Sequence, residues 1–151
     1  MTEFAWHGYT VEVDEPATRA WYAQAGDWSC TCGHCRNFLA LARARKLPGE
    51  LLDILDGLGI PPEKATDLCE FCDEDGRLLY GLAYRVAGRV LEKPPEGAPQ
   101  SQSGLSCQDD PRLFYPWGVV GFPEPCFDLS WTPWLPWVLD EPIDGPEEER
   151  K

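Results

Sequence analysis

The strongest constraint that this sequence places on its fold is a run of cysteines between residues 30 and 35. The run reads CTCGHC, and a second pair, Cys69 and Cys72, follows further along the chain. Thiolates at these spacings bind metal ions or take part in disulfide exchange. Both kinds of chemistry need several thiols close together, so the fold has to shape this run into a compact loop.

The start of the chain and the number of cysteines indicate a reducing compartment. Residues 1–4 lack the basic and apolar segments of a secretion signal, and no apolar run approaches the roughly 20 residues that a membrane helix needs. We therefore expect a cytoplasmic protein without membrane association, whose thiols stay reduced. Seven cysteines cannot all pair with one another, which favours metal or redox use over a disulfide framework.

Two cysteine pairs with C-x-x-C spacing predict a structural zinc site. Structural zinc is held by four Cys or His ligands, which two short sequence pairs often supply. Residues 36–68 separate the pairs, and a helical hairpin of that length would bring them together. The candidate ligands are Cys30, Cys32, Cys35, Cys69 and Cys72, with His34 and His7 in reserve. Four of these cysteines suffice, so Cys30 is either spare or takes the place of Cys32.

A thiol–disulfide oxidoreductase is the competing interpretation of the same run. Cys32 and Cys35 flank a Gly-His pair at the start of a helical pattern, as in the active sites of such enzymes. The helix dipole would lower the pKa of the Cys32 nucleophile, His34 would assist, and Cys35 would be the resolving thiol. However, the strand–helix alternation of thioredoxins does not follow. A third interpretation treats the cysteines as inert core thiols.

The charge distribution excludes one class of partner and marks one basic surface. The formal net charge is −13, and such a surface repels phosphates, so we expect no nucleic-acid binding. A local basic cluster comprises Arg36, Arg43, Arg45 and Lys46. This cluster is either solvated, attracted to the acidic residues 140–149, or a site for an anion or a partner. The basic cluster would also offset the net negative charge of a site in which four thiolates bind one zinc ion.

The pattern of apolar residues predicts a helical hairpin after the cysteine loop, packed on a mostly antiparallel sheet. The predicted segments are strands over 3–14 and 77–91, helices over 16–24, from 35 and over 48–58, and a helical turn over 61–68. Helices that are grouped ahead of most strands, without strand–helix alternation, define an α+β fold.

The chain is expected to form one domain over residues 1–142. Residues 93–111 are rich in Pro, Gly, Ser and Gln and predict a mobile loop, in which Cys107 would be exposed. The aromatic, proline-rich remainder predicts short edge strands. Residues 143–151 are acidic and predict a disordered tail.

Three short runs of this sequence resemble, in the same order, runs in a group of small acidic bacterial proteins of unknown function. They are CTCGHCRNF at residues 30–38, LGIP at 58–61 and LPWVL at 135–139. The similarity spans most of the chain. The resemblance implies no activity and no catalytic residue, because no activity is associated with that group.

Together these features predict a non-enzymatic cytoplasmic protein that acts through a protein partner of unknown identity. Its cysteine loop would be a structural site, closed by zinc with Cys69 and Cys72. Two histidines in the whole chain also leave little scope for general acid–base catalysis of the usual kind. The alternatives are the oxidoreductase described above and an acidic immunity-type or inhibitor protein that blocks a basic partner.

Overall fold

A computed structural model describes residues 1–97, 104–109 and 121–143 of the chain. The elements in chain order are β1 (Thr2–Trp6), β2 (Tyr9–Val13), α1 (Glu15–Gln24), α2 (Gly33–Arg43), α3 (Gly49–Leu58), β3 (Asp67–Glu74), β4 (Arg77–Glu92), β5 (Leu105–Gln108), β6 (Cys126–Trp131) and β7 (Trp134–Pro136). The helices are grouped ahead of most strands and pack on the sheet, which confirms the α+β fold predicted from the sequence.

The seven described strands form one sheet around the long strand β4, and every pair in it is antiparallel. The order along the sheet is β1-β2-β4-β6-β5, and β3 and β7 also pair with β4. Strand β3 pairs with residues 77–83 of β4, and β2 pairs with residues 88–92 on the same edge. Strands β6 and β7 occupy the other edge.

Two buried threonines fill the gap between β3 and β2 on that edge. The Thr66 hydroxyl accepts a hydrogen bond of 2.9 Å from the Arg85 N–H, and the Thr18 hydroxyl accepts one of 3.1 Å from the Ala87 N–H. Thr18 belongs to α1, so this helix is tied directly to the middle of β4. The edge backbone of β4 therefore stays hydrogen-bonded where no strand covers it.

The helices cover one face of the sheet and enclose the core with it. Alternate residues of β4 point to this face, and Tyr80, Leu82 and Tyr84 are at most 1% exposed. The facing helices contribute leucines and the fully buried Phe38 of α2 to the same core. Helix α2, which follows the cysteine run, is thereby fixed against β4.

Local sequence signals set the ends of the helices. The Asp14 carboxylate accepts a hydrogen bond of 3.1 Å from the Ala17 N–H at the start of α1, and Pro16 occupies the first turn. Gly59 ends α3 with a φ of 75°, which glycine adopts without strain. Cys32 is the N-cap of α2. None of the helices in the described ranges is long and apolar enough to cross a membrane.

Two segments differ from the sequence prediction. Strand β3 begins at Asp67, inside the segment that was expected to form a helical turn. Cys107 is only 1% exposed, because residues 105–108 form β5 and pair with β6. The exposed position predicted for Cys107 is therefore wrong. Residues 98–103, 110 and 111 of the predicted loop lie outside the described residues. Residues 144–151 of the predicted acidic tail also lie outside them.

Candidate metal centre

Three thiols of the cysteine run converge at the N-terminus of α2. The Sγ atoms of Cys30, Cys32 and Cys35 all lie within 4.8 Å of one another, and those of Cys30 and Cys32 are 3.3 Å apart. Tetrahedral zinc with bonds of about 2.3 Å places its sulfur ligands about 3.8 Å apart. The three sulfurs are therefore close enough to hold one metal ion, as the sequence predicts for this loop.

The start of α2 gives the thiols a favourable electrostatic environment. Cys32 is the N-cap residue and Cys35 lies in the first turn, where the helix dipole stabilises negative charge. Arg36 follows, and its Nε donates a hydrogen bond of 2.9 Å to the carbonyl oxygen of Thr31. This bond ties the loop backbone between two of the cysteines to the helix.

The thiols differ in how readily they lose a proton. The backbone N–H of Cys32 donates to the Cys30 sulfur and is the main reason that the pKa of the Cys30 thiol is lowered. Burial raises the pKa of the Cys35 thiol well above its usual value, although a hydrogen bond from Trp28 acts in the opposite direction. Metal binding by the thiolates would release the thiol protons.

Trp28 supports the buried member of the cluster. Its indole N–H donates a hydrogen bond of 3.1 Å to the Cys35 sulfur, and its backbone N–H donates one of 3.0 Å to the Glu63 carbonyl oxygen. An N–H group directed at a sulfur stabilises the thiolate form, which is the form that binds metal. The sequence alone does not mark Trp28 as a site residue, because its distance along the chain from Cys35 matches no ligand spacing.

Asn37 and Tyr80 hold the first turn of α2 against the sheet. Asn37 is fully buried, and its Nδ2 donates hydrogen bonds of 3.0 Å to the Pro136 carbonyl oxygen and 3.2 Å to the Tyr80 hydroxyl. The Tyr80 hydroxyl donates one of 2.7 Å to the His34 carbonyl oxygen. The Asn37 Oδ1 accepts one of 2.8 Å from the Val138 N–H. These bonds position the turn that carries the third sulfur.

The segment after β7 closes over the start of α2. Trp137 Cη2 lies 3.4 Å from the position that a Cβ on Gly33 would take, so the ring rests on this glycine. Arg36 binds both carboxylate oxygens of Glu141, at 2.6 and 2.8 Å, and thereby lowers the pKa of that carboxyl group. Two of the runs that carry the sequence resemblance, 30–38 and 135–139, are thus in direct contact.

A cavity of about 890 Å³ adjoins the three thiols. Its polar lining includes the three cysteines, His34, Asp27 and Lys64. Its apolar lining includes Trp21, Ala25, Trp28, Ala65 and Leu68. The volume lies in the range of about 300–1,000 Å³ that is usual for small-molecule sites. The cluster therefore faces a space that a small ligand can enter.

Cys69 and Cys72 lie on the opposite face of the sheet from the helices. Cys69 pairs with Gly81 and Cys72 pairs with Leu79, and these two partners flank Tyr80 in β4. Tyr80 points towards α2, so the flanking residues and their partners point away from it. Both cysteines are exposed, and neither belongs to the group of converging sulfurs. The structure therefore does not bring the two pairs into the single four-cysteine site that the sequence analysis expected.

The two reserve histidines have different surroundings. The ring nitrogens of His34 are 3.5 and 3.6 Å from the Cys32 sulfur, and the residue lines the cavity. The His7 ring instead contacts the Glu50 carboxylate in the first turn of α3, at 2.5 Å. His34 is therefore the histidine beside the cluster.

The arginines of the predicted basic cluster form ion pairs within the chain. The pairs are Arg36–Glu141, Arg43–Asp27 and Arg45–Asp56, with distances of 2.6, 3.0 and 2.7 Å. Lys46 is exposed shortly after the end of α2. The arginine charges are thus balanced by neighbouring carboxylates, which favours a solvated surface over an anion site. A protein partner for this surface stays a prediction.

Comparison with known proteins does not assign the site to a family. No protein-family model matches the chain, and neither a curated protein nor a solved structure matches it. The resemblance based on three sequence runs therefore stays a prediction, and the chemistry of the site itself is the basis for its interpretation.

Proposed function

We propose that this protein binds one zinc ion through Cys30, Cys32 and Cys35. The observation that carries the proposal is the convergence of three thiol sulfurs within 4.8 Å of one another at a helix N-terminus. Thiolates are preferred zinc ligands, and the helix N-terminus favours their ionised form. Trp28 adds an N–H donor to the buried sulfur, as hydrogen-bond donors around metal ligands commonly do.

The ion would hold the cysteine loop in shape. Residues 25–32 form neither helix nor strand, so the backbone hydrogen bonds of a regular element do not hold this loop in shape. A zinc ion bound by three of its thiolates would join the loop to α2, and the free energy of metal binding would stabilise the fold. With three thiolates, the zinc site would have a net charge of −1, which the helix N-terminus offsets.

Elemental analysis of the protein, expressed without added metal, tests this proposal. We expect about one zinc ion per chain in the wild type and its loss in Cys32→Ser. Cys72→Ser is the matched control, because it removes an exposed thiol on the other face of the sheet and should keep its zinc. Metal-free wild-type protein, or equal zinc loss in both variants, would refute the proposal.

A thiol–disulfide function is the second candidate, and one contact favours it. The Cys30 and Cys32 sulfurs are 3.3 Å apart, so bond formation between them needs little movement. The Cys32–Cys35 pair that the sequence suggested is less favoured, because Cys35 is only 2% exposed. Incubation with oxidised glutathione, followed by peptide mapping, distinguishes the pairs. A Cys30–Cys32 disulfide supports this function, and full retention of free thiols contradicts it.

A further inference from the structure

We infer that the metal at the three-cysteine site binds, at its fourth coordination position, the sulfur of a small thiol whose apolar body occupies the adjoining cavity. The inference rests on the proposed function, since the thiol needs the metal as its anchor. It assigns the cavity a ligand of defined chemistry: a low-molecular-weight thiol with an aromatic or aliphatic group.

The described part of the chain brings together three of the four ligands that tetrahedral zinc requires. All seven cysteines and both histidines of the chain lie within the described residues. Among the Cys, His, Asp and Glu residues that the structure describes, only Cys30, Cys32 and Cys35 form a group in which every ligand atom lies within 4.8 Å of the others. His34 approaches the Cys32 sulfur but does not join that group. A zinc site with three protein ligands keeps its fourth position open for an external ligand.

The cavity adjoins the three sulfurs that would hold the metal. The three cysteines of the group also line the cavity, whose volume of about 890 Å³ greatly exceeds that of a single water molecule. Trp21 and Trp28 give the lining an extended apolar surface. A ligand whose donor atom reaches the metal would therefore place the rest of its structure against these rings.

The donor set favours sulfur as the fourth donor. Three thiolates make the metal a soft centre, and soft metals prefer thiolate ligands. Lys64 also lines the cavity, so its ammonium group can offset the charge of an anionic donor. Binding would form one metal–sulfur bond and break the bond between the metal and the water molecule that the thiol replaces, and the thiol proton and the water would leave to solvent. No oxidant or reductant takes part.

Optical titration of the cobalt(II)-substituted protein tests the inference, with benzyl mercaptan as the probe and a phosphine as the only reductant. We expect sulfur-to-cobalt charge-transfer absorption to increase and the ligand-field bands to change on binding. Benzyl mercaptan should bind about tenfold more tightly than 2-mercaptoethanol, because its ring becomes buried. Benzyl alcohol, which has the same ring and no sulfur, should leave the spectrum unchanged.

A pair of glycine variants tests whether benzyl mercaptan occupies the cavity when it changes the cobalt spectrum. Gly26 lines the cavity and Gly49 does not, and a Cβ at either exposed position meets no atom within 4 Å. Gly26→Trp should weaken benzyl mercaptan binding about tenfold by occupying part of the space, whereas Gly49→Trp should not change it. Equal effects of the two variants would contradict a ligand in the cavity.

The titration separates failure of this inference from failure of the proposed function. Cobalt bound by three sulfurs with a spectrum that benzyl mercaptan does not change would overturn the inference and leave the metal site intact. A response that appears only in His34→Ala would also overturn it, because His34 would then be the fourth ligand. Absence of cobalt binding would refute both proposals.

Discussion

The side chain of Asn37 is hydrogen-bonded to the backbone of Val138: its Oδ1 accepts from the Val138 N–H at 2.8 Å. The two residues are 101 positions apart in the sequence, and Asn37 is fully buried. The same side chain donates to the Pro136 carbonyl oxygen at 3.0 Å. The residues that follow the cysteine run and those at the end of β7 and just beyond it therefore form one unit, which holds the cysteine loop in place.

Replacement of Asn37 by alanine should weaken the fold strongly. Asn37→Ala leaves the Val138 N–H and the Pro136 carbonyl oxygen without this partner, and both hydrogen bonds are part-buried. We expect the free energy of unfolding to fall by about 1–3 kcal/mol, which is the usual cost of an unsatisfied polar group, because partial contact with water offsets some of the loss at each of the two groups. Urea denaturation of the wild type and the variant measures this difference.

Asp53→Ala is the control for that measurement. Asp53 is exposed on α3, so its removal should change the free energy of unfolding by no more than about 0.5 kcal/mol. If Asn37→Ala were as stable as this control, the hydrogen bonds across the chain would not hold the loop in the way described.

Replacement of Trp28 by phenylalanine should weaken zinc binding while the fold is kept. Trp28→Phe removes the N–H that donates to the Cys35 sulfur at 3.1 Å but keeps an aromatic ring. Loss of such a donor to a metal ligand usually lowers metal affinity by about 10–100-fold. Competition with a chromophoric chelator measures the affinity.

Trp134→Phe, on β7, is the control and should bind zinc as the wild type does. Equal zinc affinities in the wild type and both variants would contradict a role for the Trp28 indole N–H.

The buried thiol of Cys107 should make the protein less stable at alkaline pH. Burial raises the pKa of Cys107 to about 12, above the ordinary value of 9.0 that applies to an unfolded chain. The folded state favours the neutral Cys107 thiol more than the unfolded state does. The resulting contribution to the free energy of unfolding is fully present below about pH 9 and is lost as the pH rises through about 12. We expect a loss of about 2 kcal/mol between pH 9 and pH 11.

Cys107→Val isolates this contribution because it keeps an apolar side chain of similar size and removes the titrating group. The stability difference between wild type and variant, from urea denaturation at each pH, should shift in favour of the variant as the pH rises. A difference that stays constant from pH 8 to pH 11 would contradict the effect.

The parts of the fold that depend on local signals are predictable from the sequence. The helices expected over 16–24 and 48–58 correspond to Glu15–Gln24 and Gly49–Leu58. Pro16 and Gly59 mark a helix start and a helix end because their residue types favour the backbone conformations found at those positions. The convergence of the three thiols is similarly local, since it arises within one short loop.

The face on which Cys69 and Cys72 lie depends on distant residues and on an irregularity in β3. Simple alternation along a strand would place these two cysteines on opposite faces. The register of β3 against β4 shifts between Glu70 and Cys72, so both cysteines end on the same face. That face is set by the pairing of Cys69 with Gly81, which no sequence spacing reveals.

Cys107 shows the same dependence on distant contacts. The composition of residues 93–111 indicates a loop, yet Leu105–Gln108 forms a strand because β6 offers it a partner. Such pairing depends on where β6 lies in the sheet, and the composition of residues 93–111 does not contain that information.

X-ray absorption at the zinc edge is the most direct measurement of the three-cysteine site, because it counts the sulfur atoms around the ion. For protein purified with a phosphine reductant and no added thiol, we predict three sulfur neighbours at about 2.3 Å and one nitrogen or oxygen neighbour. Four sulfur neighbours would contradict this result, because the fourth would have to come from a cysteine outside the group formed by Cys30, Cys32 and Cys35. A zinc ion without sulfur neighbours would contradict it as well.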